Sequence, residues 1–517
     1  MEQKRDAGNR GTKNIKDVHA SHAHRIIEAI EKEEIEEKEN RKRREVRIIT
    51  DVKDKMEKER TMALSIKEGS ATSVMGAMGE TYITPFALAL NANNAQIGFL
   101  SSFSGLFGPL SQLFGSKIME KFSRRSIIAK SVALQAFMWL PILLLGLLFW
   151  KNLFASSLPV ILIIFYTIYI AAGSISGPAW FSLLGDIIPE KIRGRYFSKR
   201  NRICGSVALV MTLVAAFILD FFKTKGLVLI GFSILFIFAF IFRLISARLF
   251  AKHYEPAFKL EKGYYFTLLQ FVRKMPGNNF GRFVMYVALT HFATSIAGPF
   301  FAVYMLKDLQ FSYIWFTLIN LSASIFSLAV MPVLGKLSDK YGNKKLLAAG
   351  GVLVPIMPVL WLFSSNPIYL MIVPQLAGGI GWAAFNFAAG NFIYDSVTPQ
   401  RRGLCVSYFN VLIGIGTFIG AAIGGMLAQN LSITFMNKLL FIFFLSGCLR
   451  AVVGIIMLPK IGEVRKVKKA RVSTLLVNLI NPINIIFNNL ILIASTTEKA
   501  GKKLVDGIKK TAGGMGI

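Results

Sequence analysis

The sequence predicts an all-α polytopic membrane protein, twelve transmembrane helices in two six-helix halves with both termini cytoplasmic. Three observations predict it: apolar runs long enough to cross a bilayer, an uneven distribution of lysine and arginine between connections, and landmarks that recur 207 to 219 residues apart. The chain has 517 residues, 53% hydrophobic and 17% charged, with a mean hydropathy of +0.51. That composition excludes an ordinary soluble domain. The net charge of +31 would suit a nucleic-acid binder if it were gathered on one face. It falls instead in short connections and tails between apolar runs, where it attracts anionic lipid headgroups and sets topology. No nucleic-acid partner is expected.

Residues 1–68 hold 18 basic and 16 acidic side chains and no apolar run of signal-peptide length. They read as a charged cytoplasmic N-terminal segment, partly helical from the spacing of Ile26, Ile27 and Ile30 and of Val46, Ile48 and Ile49. His19, His22 and His24 have no carboxylate or cysteine fixed beside them, and Cys204, Cys405 and Cys448 show no CxxC spacing. No metal, disulfide or cofactor is expected.

Twelve apolar runs follow, near 69–91, 97–119, 126–150, 158–181, 202–222, 226–250, 282–306, 311–335, 346–364, 367–393, 404–428 and 436–459. About 20 helical residues cross about 30 Å of hydrocarbon, so each is long enough. Connections after spans two, four, eight and ten, counted with the span ends that flank them, carry seventeen basic residues; the alternate ones carry five. The basic set therefore faces the cytoplasm, in a multi-pass protein of the cell membrane. The N-terminal half covers 69–252 and the C-terminal half 282–460. Between them, 253–281 reads as a cytoplasmic linker with an interfacial helix in YYFTLLQFVRKM. Residues 461–517 read as a basic cytoplasmic tail with in-plane amphipathic helices, because Asn478, Asn481, Asn484 and Asn488 share one helical face between basic flanks.

The repeat is visible at four places. Pro85-Phe86 recurs as Pro299-Phe300, and SKIMEKFSRR from Ser116 recurs as GKLSDKYGNK from Gly335. Asp186, Arg193 and Asn201 recur as Asp395, Arg402 and Asn410, and Arg243 recurs as Arg450. Two halves of the same orientation imply a pseudo-two-fold axis along the membrane normal.

GKLSDKYGNKK, with Gly335, Leu337, Asp339, Gly342, Lys344 and Lys345, resembles the signature loop of the major facilitator superfamily of secondary transporters. The N-terminal copy departs from it: Ser116 and Ser123 stand for the glycines and Glu120 for the aspartate. The resemblance covers about 69–460. It implies a cytoplasmic gate in which Glu120 faces the start of span eleven and Asp339 the start of span five. It also implies that Asp186 pairs with Arg124 or Arg125, and Asp395 with Lys344 or Lys345. A carboxylate near a helix N-terminus gains about 0.3–1 kcal/mol from the helix dipole and unpaired N–H groups.

Within the spans, ionisable residues are costly and point to function. Glu80 lies near the middle of span one, where it can carry a coupling proton or make a structural bond to Tyr82 or a neighbouring helix. The resemblance implies a cavity lined by spans one, four, seven and ten. Tyr82, Tyr169, His291, Thr294, Gln375, Trp382 and Asn386 then become candidate coupling and cavity residues. With no second deep carboxylate and no arginine pair on those helices, a neutral polar or amphipathic solute is favoured over a strong anion. Secondary active transport of such a solute by alternating access is the leading function. A transporter-fold sensor without flux is the alternative; a membrane enzyme is disfavoured because no HExxH or DxD-like pair is present.

Overall fold

The computed structural model describes residues 6–119, 121–256, 267–468 and 470–479. The chain divides into two units, 1–63 and 64–517. The helix Asp6–Met78 supplies the described part of the first unit and the opening segment of the second.

Span one is that segment plus Ile83–Ala89, separated by a turn of 3₁₀ helix at Glu80–Tyr82. The cause is Pro85, which has no N–H and whose ring collides with the carbonyl four residues back, at Thr81. Span seven repeats the device: Asn279–Ala297 ends, Gly298 and Pro299 intervene, and Phe300–Val303 follows. The remaining spans are Asn94–Ile118, Arg124–Trp150, Leu158–Ile187, Glu190–Thr224, Val228–Ala251, Tyr313–Tyr341, Asn343–Leu360, Pro367–Ser396, Pro399–Asn430 and Lys438–Met457. Among the described residues, ten helices are long and apolar enough to cross a membrane. The other two are the broken first span and the second, which is diluted by serine, glycine and Gln112. The linker contributes the short helix Leu268–Lys274, opened by a capping box of Thr267 and Gln270. Residues 257–266 of the linker and 480–517 of the tail lie outside the described residues. Residues 472–479 are helical, with Leu475 and Leu479 buried against the C-terminal half.

The ends of the spans nearest residues 119, 190, 342 and 398 carry most of the lysine and arginine; this is called the basic end, and the opposite one the far end. The two cores divide unequally between them. At the far end one cluster runs through both halves, joining Phe86, Leu90, Leu158 and Phe232 to Phe300, Tyr313, Trp361 and Phe443. Toward the basic end, the second cluster is built from the C-terminal half around Phe283, Leu337, Phe385 and Phe392, with Leu113 packed against it. The halves are thus fused at one end and distinct at the other.

Spans two and eleven form a seam where backbones meet. A Cβ on Gly98 would lie 2.6 Å from the Ala421 carbonyl oxygen, and one on Gly414 would lie 2.7 Å from that of Gly105. Asn94 donates to the Ala428 carbonyl at 2.9 Å, and Asn410 to Gln112 at 3.3 Å, so the seam extends from the far end almost to the basic end. Small residues are what permit such an approach. Gly98→Val should lower the melting temperature of the purified protein by an overpacking cost of about 1–3 kcal/mol. Gly205, where a Cβ would meet nothing within 4 Å, should accept alanine without loss in the same melt.

Candidate gates and central site

The far-end contact between spans five and eight is built on Asp220 at the close of span five. Its carboxylate accepts the backbone N–H groups of Tyr313 and Ile314, the first two residues of span eight, at 2.7 and 2.9 Å. The next donor, Trp315, is held by Ser312 Oγ at 3.3 Å. A helix start has several N–H groups with no partner inside the helix, and a carboxylate both satisfies them and meets the positive end of the dipole. Beside it, Lys223 donates to the Phe311 carbonyl and lies over the Tyr313 ring. Deeper in, Tyr82 is fully buried; its hydroxyl donates to the Thr212 carbonyl of span five and accepts from Thr317 Oγ1 of span eight, both at 2.8 Å. Tyr82 therefore does not line the cavity, as the sequence suggests, but ties the halves together. Asp220 has no mark in the sequence that singles it out.

At the basic end the expected gate residues are sorted differently. Arg124 is buried and forms the expected pair with Asp186, at 2.6 Å. Its backbone N–H, the first of span three, donates to Glu255 at 2.7 Å, and that of Arg125 to the other oxygen at 3.4 Å. Ser123 caps the same helix through Ser126 N–H with φ −63°. Serine can therefore stand where the signature has glycine. Its counterpart Gly342 has φ +87° and faces the Glu463 carboxylate, a geometry that requires glycine.

Asp395 does not pair with Lys344 or Lys345. Arg465, beyond span twelve, takes it at 2.8 Å, and Asn343 donates to its other oxygen at 2.7 Å. Lys344 contributes its backbone N–H to Glu463 at 2.8 Å, and Lys345 donates to the Lys468 carbonyl at 3.3 Å. Physically, a guanidinium offers a fork to a carboxylate where an ammonium offers a point charge. Asp339 is 83% exposed, and the charge nearest it is Arg465, at 3.6 Å. Among the described residues no hydrogen bond or ion pair joins spans five and eight toward the basic end. Gly335 has nothing within 4 Å of a Cβ position. Arg402 stacks on the Tyr394 ring. Glu120 and the side chain of Arg193 lie outside the described residues.

In the middle of the bundle, the 3₁₀ turn presents Glu80, an exposed carboxylate, to span four. Tyr169, fully buried, donates to it at 2.6 Å and packs edge-on against Trp139. Across the bundle, His291 of span seven meets Trp382 of span ten with ring centroids 5.5 Å apart. Asn386, one turn on from Trp382 on the same face, is exposed, while Gln375 is buried and Thr294 bonds back to the Thr290 carbonyl. Arg243 is buried on Gln135 and Thr72. Arg450 is buried on Ser446 and the Val354 carbonyl. Both bind between helices rather than reaching for the interface.

Residues 283–497 match the model of the Major Facilitator Superfamily. The whole fold agrees: a D-xylose-proton symporter superposes with a TM-score of 0.58 at 16% identity, covering 80% of this chain and 99% of that one. The family match covers 215 of the 517 residues, so the sequence similarity to this family is carried by the C-terminal part of the chain. Among curated relatives, Multidrug resistance protein 3 of Bacillus subtilis is 28% identical over 117 residues, 23% of each chain. Multidrug resistance protein MdtG of Proteus mirabilis is 29% identical over 163 residues, 30% of this chain and 40% of that protein. This chain spans less than half the length of these curated relatives. They are named for transport or resistance, not for enzymatic activity.

Asp220→Ala should open the far end. In a background lacking the native cysteines, Ala87→Cys, buried in the far-end core, should be labelled several-fold faster by a water-soluble maleimide when Asp220 is replaced. Equal labelling rates would show that the cap does not hold the end shut.

Proposed function

We propose that the protein is a secondary active transporter that moves a small solute by alternating access, captured with its outer side shut and its cytoplasmic side parted. The observation that carries this reading is the asymmetry of the cores. One cluster crosses both halves at the far end, whereas at the basic end the signature carboxylate Asp339 is exposed and meets Arg465, beyond span twelve, rather than the start of span five. The excess of lysine and arginine argues that the basic end is cytoplasmic, which makes the state inward-facing. In the same reading, residues 1–68 are a cytoplasmic head, 69–252 and 282–460 the two halves, 253–281 the linker and 461–517 the tail.

Solute would enter between a half contributing Glu80, held from behind by the buried Tyr169, and a half contributing His291, Trp382 and Asn386. One carboxylate, an imidazole, an indole and a carboxamide suit a neutral polar or amphipathic solute, one with an apolar body and a few hydrogen-bonding groups. Similarity to two multidrug resistance proteins supports amphipathic organic solutes. Glu80 is the candidate carrier of a coupling proton, since Tyr169 can donate to its ionised form and a broken helix gives solute and water access to it. Asp339 would reach the start of span five when the cytoplasmic side closes, giving that side the carboxylate-on-helix contact that Asp220 gives the other.

Reconstitution into liposomes with an imposed proton gradient tests the reading against a panel of amphipathic dyes and nucleoside-like solutes. Wild type should accumulate at least one of them. Glu80→Gln should lose accumulation while keeping exchange, and Asp339→Asn should slow both. Binding without flux for every solute that shifts the melting temperature would favour a sensor instead.

A further inference from the structure

Behind span twelve the chain does not leave the bundle. Gly462 exchanges two hydrogen bonds with Asn279, at 2.6 and 3.0 Å. Lys468 N–H donates to the Lys340 carbonyl at 3.2 Å, and Leu475 and Leu479 are buried in the C-terminal core. Residues 461–468 and 470–479 are thus a strap, pinned at both ends across the turn between spans eight and nine. Between strap and turn lies a cleft of about 770 Å³, walled by Lys344, Lys345, Glu463, Arg465, Lys466 and Lys468.

Five cations surround a single carboxylate there, and that carboxylate is already engaged. Glu463 accepts the N–H groups of Lys344, Val464 and Arg465. Arg465 is drawn away from the cleft's lysines toward Asp395 and Asp339. Among the described residues no ion pair neutralises Lys344, Lys345, Lys466 or Lys468. The strap's backbone bonds keep Lys466 and Lys468 on the wall opposite Lys344 and Lys345, so like charges face one another across the cleft and repel. An anion with several acceptor oxygens would relieve that repulsion and could be bound by ammonium groups from both walls at once.

We propose that this cleft binds a phosphate-bearing anion, as the headgroup of an anionic phospholipid. The choice of a lipid rests on the membrane topology proposed above, which puts the ends of spans eight and nine at headgroup depth; a free phosphate would be recognised by the same cations. Because Arg465 lines the cleft and also holds Asp395 and Asp339, an occupant competes with those two carboxylates for it. Binding at the strap is therefore coupled to the release of the signature loop.

The test uses the purified full-length protein and needs no transport substrate, so its failure is separate from failure of the transport reading. Phosphatidylglycerol and phosphatidylcholine are titrated and retained lipid is counted by native mass spectrometry, with inorganic pyrophosphate as competitor. The triple variant Lys344→Gln, Lys345→Gln, Lys466→Gln should bind phosphatidylglycerol about tenfold more weakly or worse and lose salt sensitivity. A control triple at the far end, Lys151→Gln, Lys225→Gln, Lys438→Gln, should not. Asp395→Asn, which frees Arg465, should bind more tightly, a direction that misfolding would not produce. Displacement by pyrophosphate would assign recognition to the phosphate alone; loss in the cleft triple without displacement would assign it to the tethered headgroup. Equal retention of the two lipids, or equal affinity in wild type and the cleft triple, would overturn the proposal.

Discussion

The structure depends on carboxylates placed at the beginnings of membrane helices. A helix that starts near the hydrocarbon has N–H groups that lipid cannot satisfy, and leaving them unpaired costs several kcal/mol each. Three acids meet that need: Asp220 at span eight, Glu255 at span three and Glu463 at span nine. The last two act inside their own halves, where they fasten the linker and the strap to the bundle. Asp220 alone among these three reaches from one half to the other. The same chemistry therefore acts within a half in two places and bridges the two halves in the third.

In the proposed transport cycle, that difference lets the halves be joined and yet part. Spans two and eleven touch backbone to backbone through Gly98, Gly105, Gly414 and Gly425, a contact of van der Waals packing with the Asn94–Ala428 and Asn410–Gln112 hydrogen bonds toward its two ends. Spans five and eight are held by few but directional bonds at the far end, from Asp220 and Tyr82. Parting that end means breaking these bonds and also separating the apolar cluster that runs through both halves. The parting at the basic end is one-sided: among the described residues spans five and eight make no polar contact there, while Asn410 still reaches Gln112.

Much of this architecture is legible in the sequence because hydropathy and the placement of lysine report directly on burial and on the membrane boundary. The repeat carries more than its four landmarks. Glu255 and Glu463 lie 208 residues apart, close to the 207 that separates Arg243 from Arg450, and that spacing is a signal by which they can be paired. The choice of partner at Asp395 is not legible. Lys344, Lys345 and Arg465 are all basic, and only the path of the strap brings the last within 2.8 Å. Asp220 carries no signal of its own, because a carboxylate at the end of a span reads as a boundary marker until the partner helix is in place. Rotation hides Tyr82 as well: two residues beyond Glu80, it points into the seam between the halves once Pro85 has broken the helix.

The central claim is that the two ends of the span five–span eight contact are reciprocal. Pulsed electron-spin distance measurements test it most directly, with one label pair at residues 225 and 310 on the far end and another at 199 and 336 on the basic end. In membranes, replacing Asp220 by alanine should lengthen the first distance and shorten the second within the same population of molecules. Lengthening of the first with no change in the second would mean that the far end merely frays, and would contradict the account.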